Sequence, residues 1–214
     1  MKYYDVVQGE RDWFDLRLGR PTASEFKRIL TPKTLQEGGP GAKSYIRELI
    51  GEVLNPILAM NAPCYMSRPM LHGRNTEPEA RRYYSMERDV DVANGGFCTT
   101  DDGRLGASPD GVIGLRRLEN GDSIDGAVEL KCPMPANHLR YLETPNEVPA
   151  IYKWQCHGHM IVTGAAWVDF LSYCDGFAPV LVRVVPNEDT DKLRVALDRF
   201  YEQYVAALER VRGK

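Results

Sequence analysis

A mixed α/β or α+β fold, a central sheet with helices on its faces, is what this chain predicts. Three observations carry the expectation. Short strand-like runs separated by turn residues fill the middle of the chain. One helical segment divides them from two further strand-like runs. Helical periodicities stand toward both ends, the last of them long and amphipathic. The 214 residues are expected to form a single domain, 1–214, since domains of roughly 100–200 residues are the norm. Hydrophobic residues make up 43% and charged residues 27%, as in ordinary globular proteins, which excludes disordered and collagen-like chains.

Thr22 and Glu25 have the spacing of a capping box and predict a helix through Ile29 and Leu30. Residues 31–43, with Pro32, Gly38, Gly39, Pro40 and Gly41, read as a loop. Tyr45, Leu49, Val53 and Leu54 recur at helical spacing. Residues 55–69, with prolines at 56, 63 and 69, read as irregular. Thr76 and Glu79, with Pro78 in the first turn, predict a helix to about Met86. Strands are expected at 97–100 and 104–107, joined by an Asp102-Gly103 turn, and at 112–114 and 127–132 around Asn120-Gly121. A helix over 150–162 carries the stripe Ile151, Trp154, Gly158 and Ile161, and strands follow at 168–173 and 180–185. Leu193, Leu197, Phe200, Tyr204, Leu208 and Val211 mark a closing helix that packs on the sheet.

Lys and Arg total 27 against 30 Asp and Glu, a net charge of −3. Net charge therefore attracts no phosphate, and any nucleic-acid contact must come from clusters such as Arg17 with Arg20 or Lys27 with Arg28. No apolar run approaches the ~20 residues of a membrane helix, and the first twenty residues lack the apolar stretch of a signal peptide. A cytoplasmic protein without a membrane partner is expected. The five cysteines are odd in number, widely spaced and without a C-x-x-C pair, which points to free buried thiols. His157 and His159, two apart, do not share a helix face and are not expected to bind a metal together. Trp13 and Trp154 read as core.

Chemistry concentrates in Ser108-Pro109-Asp110-Gly111 and Glu129-Leu130-Lys131. Side chains alternate along a strand, so Glu129 and Lys131 share one face and Leu130 takes the other. Pairing with the preceding strand brings Asp110 beside Glu129. Two carboxylates in one site repel unless a cation neutralises them. A hard ion such as Mg²⁺ suits these oxygens and keeps several waters. The Leu130 carbonyl offers a further ligand, and Lys131 can position the attacking water or stabilise charge on a phosphate.

Pro-Asp followed by Glu-x-Lys resembles the signature of the PD-(D/E)XK nucleases. Asp12-Trp13-Phe14-Asp15-Leu16-Arg17-Leu18-Gly19 and Thr22-Ala23-Ser24-Glu25 resemble the opening motif of the phage lambda exonuclease and YqaJ-type viral recombinase family. Gly73-x-x-x-Glu77-x-x-Ala80-Arg81, Ser108-Pro109-Asp110-Gly111, Glu129-Leu130-Lys131-Cys132-Pro133 and Tyr152-x-x-Gln155 follow in the family's order, from about residue 8 to residue 165. The resemblance implies a restriction-endonuclease-like central mixed sheet flanked by helices. It implies Mg²⁺-dependent 5′-to-3′ digestion of double-stranded DNA ends to 5′-mononucleotides, with Mn²⁺ as a substitute and two ions in the working state. It further implies a ring-shaped homotrimer and a single-strand annealing protein as partner. Asp110, Glu129 and the Leu130 carbonyl would bind metal, Lys131 would be the catalytic lysine, and Glu77 would serve the second ion. Arg17, Ser24, Ser108 and Gln155 would hold the 5′-phosphate. Met70 and Leu71, just ahead of Glu77, are candidates for a wedge at the duplex end or for ordinary packing. A RecB-like nuclease or endonuclease of the same superfamily, or a catalytically inactive DNA-binding subunit, are the alternatives.

Overall fold

The alternating runs in the middle of the chain resolve into two sheets. The structure, a computed structural model, describes residues 1–31, 38–61 and 67–213. In chain order its elements are β1 (Lys2–Tyr4), α1 (Arg11–Arg17), a 3₁₀ helix (Ala23–Arg28), α2 (Pro40–Leu54), α3 (Pro56–Met60), α4 (Arg68–Arg88), β2 (Ala93–Asn94), β3 (Phe97–Thr99), β4 (Gly106–Ala107), β5 (Gly111–Ile113), β6 (Gly126–Lys131), α5 (Pro135–Leu142), α6 (Ala150–Thr163), β7 (Trp167–Ser172), β8 (Val180–Val184) and α7 (Glu188–Arg212). A small antiparallel sheet has the order β1-β3-β4, and a mixed five-stranded sheet the order β2-β5-β6-β7-β8. In the larger sheet only β6 and β7 run parallel, with Glu129 opposite Phe170 and Lys131 opposite Ser172. Parallel neighbours need a long crossover, and α5 and α6 supply it.

The residue alternation of β6 divides the hydrophobic core. Ala127 joins the main core, which gathers Trp154, Val168, Phe170, Leu193, Leu197 and Phe200 on the side of α6 and α7. Val128, Leu130 and Cys132 face a smaller core with Ala80, Tyr84 and Leu171 on the side of α4. Both faces of the central strand are therefore covered, as a strand with a parallel neighbour requires. The 3₁₀ helix lies close against α6 because position 158 is glycine. A Cβ there would stand 2.5 Å from the Phe26 ring.

Several boundaries differ from the sequence expectation. Ala23–Arg28 is 3₁₀ rather than α, and Thr22 makes no side-chain cap. Its hydroxyl instead accepts from Arg17 at 3.1 Å and its N–H donates to the Tyr45 hydroxyl at 3.0 Å. Of the expected 31–43 loop, 32–37 lie outside the described residues, and α2 already begins at Pro40, where a missing N–H costs no helical bond. Within 55–69, α3 forms with the Asn55 side chain accepting from Leu58 N–H at 3.1 Å, while 62–66, including Pro63 and Cys64, lie outside the described residues. The helix expected from Thr76 starts at Arg68, capped by Ser67, and Pro78 sits inside it. The Thr76-x-x-Glu79 pair therefore caps nothing. Met70 and Leu71 belong to the first turn of that helix and are half-exposed.

The other elements follow the pattern, except that α7 packs chiefly against α6 and α2 rather than directly on the sheet. Cys98 pairs with Ala107 across a turn in which Gly103 takes φ +72°, and Gly111 pairs with Val128. Helix α6 matches the expected span to within a residue, although Ile151 at its start is exposed. The sequence reading omits β1, α1, β2 and α5, each too short to show a period. Cys98, Cys132, Cys156 and Cys174 are free and buried. No helix among the described residues is long and apolar enough to cross a membrane.

Candidate active site

Asp110 ends the loop that enters β5. Its N–H donates to the Val128 carbonyl at 3.0 Å, and its Oδ2 accepts the Leu130 N–H at 2.6 Å. This fixes the carboxylate against the edge of β6. The N–H and C=O of a strand residue point to the same edge, so the Leu130 carbonyl faces the Asp110 side. Lys131 Nζ touches Glu129 Oε1 and stands 4.0 Å from Asp110 Oδ2. The three side chains that the sequence sets in two motifs thus form one cluster.

Glu129 is fully buried because α6 lies over it. Gln155 donates to its Oε1 at 2.6 Å, and His159 Nε2 lies 2.7 Å from its Oε2. The resemblance implies a phosphate role for Gln155 and none for His159. The signal was present, because positions 155 and 159 are four apart and share a helix face. His157 turns the other way and bonds the Thr190 hydroxyl at 2.9 Å. Lys131 also lies 5.3 Å from the centre of the Tyr152 ring, which stacks on Phe170.

Burial, reinforced by the neighbouring charge of Glu129, pushes Asp110 up to about 8. Burial opposes ionisation of Glu129 as well, but Lys131 and His159 outweigh it and hold the carboxyl below its ordinary value. Lys131 is raised despite its burial, by Glu129 and then Asp110. One ammonium thus faces two desolvated carboxylates, and the more weakly compensated of them resists ionising. Such a donor set fits a hard divalent cation: two carboxylates and a carbonyl meet the needs of an ion that keeps most of its waters. Glu77 reaches toward the same place from α4, and its charge adds to the rise at Asp110. Its Oε1 is 3.6 Å from Arg81, which also donates to the Asp110 carbonyl. Among the described residues no three His, Cys, Asp or Glu side chains converge on one point. Arg82 is exposed to solvent.

Arg17 closes α1 with its guanidinium 4.4 Å above the Trp13 ring. It donates to Thr22 and, at 3.5 Å, to Ser24. Trp13 Nε1–H donates to Ser108 Oγ at 2.8 Å, and Ser108 donates to the Gly96 carbonyl at 2.7 Å. Trp13 is therefore core and also the link between Arg17 and Ser108. Of the four residues expected around a phosphate, the structure brings Arg17 and Ser24 into contact, ties Ser108 to them through Trp13, and turns Gln155 to Glu129. Burial lowers Arg17 from its ordinary value, and among the described residues it has no carboxylate within 4 Å. A cavity of about 360 Å³ adjoins it, lined also by Arg20, Thr22, Glu25, Arg28 and Glu52 but by none of Asp110, Glu129 and Lys131. Arg20 and Arg28 are engaged within the protein. Arg20 donates to the Gly103 carbonyl at 2.9 Å, and Arg28 makes a two-pronged pair with Glu48 at 2.6 Å.

A mixed sheet covered by helices on both faces is an architecture this chain shares with solved exonucleases. The alkaline exonuclease LHK-Exo from Laribacter hongkongensis superposes with a TM-score of 0.75 and 25% identity over 94% of this chain and 95% of that one. Its complex with dAMP gives the same TM-score and coverage at 27% identity. A phage-related exonuclease from Haemophilus somnus 129PT shares the fold at a TM-score of 0.60 and 13% identity, over 91% of this chain and 99% of that one. The chain belongs to the YqaJ-like viral recombinase domain family, whose profile matches residues 12–166. Comparison with curated proteins gives no significant match.

Proposed function

We propose that this protein is a divalent-cation-dependent exonuclease that digests double-stranded DNA from the 5′ end, releases 5′-mononucleotides and leaves a 3′ single strand for phage-type recombination. The observation that carries the reading is the Asp110–Glu129–Lys131 cluster, on β6 and the loop that enters β5, with a carboxylate pair that one lysine does not neutralise. The likeness to an alkaline exonuclease solved with dAMP supports it.

Asp110, Glu129 and the Leu130 carbonyl would hold the ion, Mg²⁺ or Mn²⁺, with Glu77 serving a second. When bound, such an ion supplies Lewis acidity at the phosphate and lowers the pKa of water. Lys131 directs its ammonium at the same point, where it orients the attacking water and stabilises charge that develops on the phosphate oxygens. Leu130 N–H, Gln155 and His159 hold the two carboxylates still. Arg17 anchors the 5′-phosphate by charge-assisted bonds, aided by Ser24, while the Trp13 ring shields one face of the guanidinium. Ser108 steadies Trp13, and Gln155, expected at the phosphate, braces Glu129 instead. The trimeric ring and the annealing partner implied by the family belong to this reading.

Linear duplexes ending in 5′-phosphate, in 5′-hydroxyl or in closed hairpins, incubated with and without Mg²⁺, test it. Rapid Mg²⁺-dependent release of mononucleotides from the 5′-phosphate ends, with hairpins resistant, is the expected result. Cutting of hairpins or circles at a similar rate would replace it with an endonuclease, and failure to cut any substrate with a DNA-binding subunit.

A further inference from the structure

We propose that His159 is a positioning residue of the cation site, which together with Gln155 fixes Glu129 in the one orientation that presents its carboxylate to the ion. The inference rests on the cation-dependent nuclease reading above. Gln155 and His159 stand one turn apart on α6 and grip opposite oxygens of a single carboxylate, Oε1 at 2.6 Å and Oε2 at 2.7 Å. Glu129 has no exposed surface and His159 is 1% exposed, so water does not compete for the bond between them. A glutamate has three torsions to settle, and a donor on each oxygen settles them before any ion arrives. Each carboxylate oxygen has two lone pairs, so a bond to His159 leaves Oε2 with capacity for a ligand.

The choice of histidine at this position is itself informative. Its Nδ1 is buried without a partner among the described residues. Nε2 is therefore the ring's hydrogen-bonding atom, donating to Glu129. Leaving a buried polar atom unpaired is costly, and an apolar side chain on this face of α6 would avoid that cost. The bond to Glu129 is what histidine supplies in return. His157, buried on the same helix, shows the contrast: its partner is Thr190 at the start of α7, remote from the cluster chemistry.

The test uses the full chain and measures Mn²⁺ affinity by calorimetry, alongside kcat and KM on a linear 5′-phosphorylated duplex in Mg²⁺. His159→Leu removes the donor, and His159→Asn keeps an amide too short to reach. Both are expected to weaken Mn²⁺ binding and lower kcat by about tenfold to a hundredfold, while KM for the duplex moves less than about twofold. His159→Gln, whose amide has the longer reach, is expected to recover most of the loss. His157→Leu is expected to lower thermal stability and leave Mn²⁺ affinity unchanged. A folded Leu or Asn variant with wild-type Mn²⁺ affinity overturns the proposal, as does a Gln variant no better than Asn. If the Leu variant does not fold, the comparison of Asn with Gln decides alone. Wild-type protein that binds no Mn²⁺ would overturn the nuclease reading itself, and the role of His159 with it. Wild-type protein that binds and cleaves while His159→Asn matches it would overturn only the latter.

Discussion

Asp110 concentrates the electrostatics of the cluster in one carboxyl. Its folded-state pKa is pushed up to about 8 by burial and by Glu129, well above the ordinary value near 4. The sign follows from linkage: between about pH 4 and pH 8 the folded protein binds this proton more tightly than the unfolded chain does. The group therefore lowers stability as pH rises through that window, and has no such effect below it. A bound cation reverses the penalty by favouring the ionised form. Melting-temperature gains on adding Mg²⁺ are thus expected to be larger at pH 8.5 than at pH 6, and Asp110→Asn to flatten that dependence. Equal gains at both pH values in the wild type would contradict the assignment. Asp110→Ala, Glu129→Ala and Lys131→Ala are each expected to reduce cleavage on the order of a thousandfold or more in folded protein. The two carboxylate variants should also lose Mn²⁺ affinity in calorimetry, and the lysine variant should keep it.

Helix α6 does the most positioning. Its Gly158 admits the 3₁₀ helix that carries Ser24, and its Gln155 and His159 reach Glu129. Gly158→Val would drive a branched side chain into Phe26 and is expected to cost about 1–3 kcal/mol in urea unfolding. The same change should weaken discrimination between 5′-phosphate and 5′-hydroxyl ends, since Ser24 rides on the displaced helix. Unaltered stability would show that the 3₁₀ helix shifts freely. Helix α6 also shows what a sequence discloses. Its span is legible from Trp154, Gly158 and Ile161, spaced three to four apart, although burial runs unbroken over 156–160, and the adjacency of Asp110 and Glu129 is legible because strand alternation and strand pairing determine it. The bond of His159 to Glu129 is not, since it depends on how far α6 rotates over the sheet. Thr22 and Thr76 mislead for a related reason: a capping pattern looks only forward along the chain, and at Thr22 a residue behind it, Arg17 at the end of α1, takes the hydroxyl. At Thr76 a stronger start, Ser67 with Pro69, lies upstream.

At the scale of the whole molecule, attraction for DNA must be local. The net charge is −3, and Arg20 and Arg28 are bound to the protein's own carbonyls and carboxylates. Arg17 remains as a desolvated cation held by hydroxyls. Charge-assisted bonds to a terminal phosphate contribute roughly 1.5–3 kcal/mol. Arg17→Ala is accordingly expected to erase a preference of about tenfold to a hundredfold for 5′-phosphate over 5′-hydroxyl ends. Since every cut on the proposed reading regenerates a 5′-phosphate, processivity should fall with it. Time courses on the two ends, wild type beside variant, measure both. Equal rates on both ends in the wild type would remove the anchor.

The parallel pairing of β6 with β7 has a consequence for the order in which the chain acquires its chemistry. Asp110, Glu129 and Lys131 come from one short stretch and can meet as soon as the β5–β6 hairpin closes. The groups that cover Glu129 come from the return path between the parallel strands, which ends only where β7 begins at Trp167. A nascent chain that has emerged to residue 131 therefore carries the acids and the lysine without the helix that buries Glu129 and bonds its two oxygens. The cluster becomes a desolvated site only when the crossover docks, so ribosome-bound fragments ending before α6 should release no nucleotides.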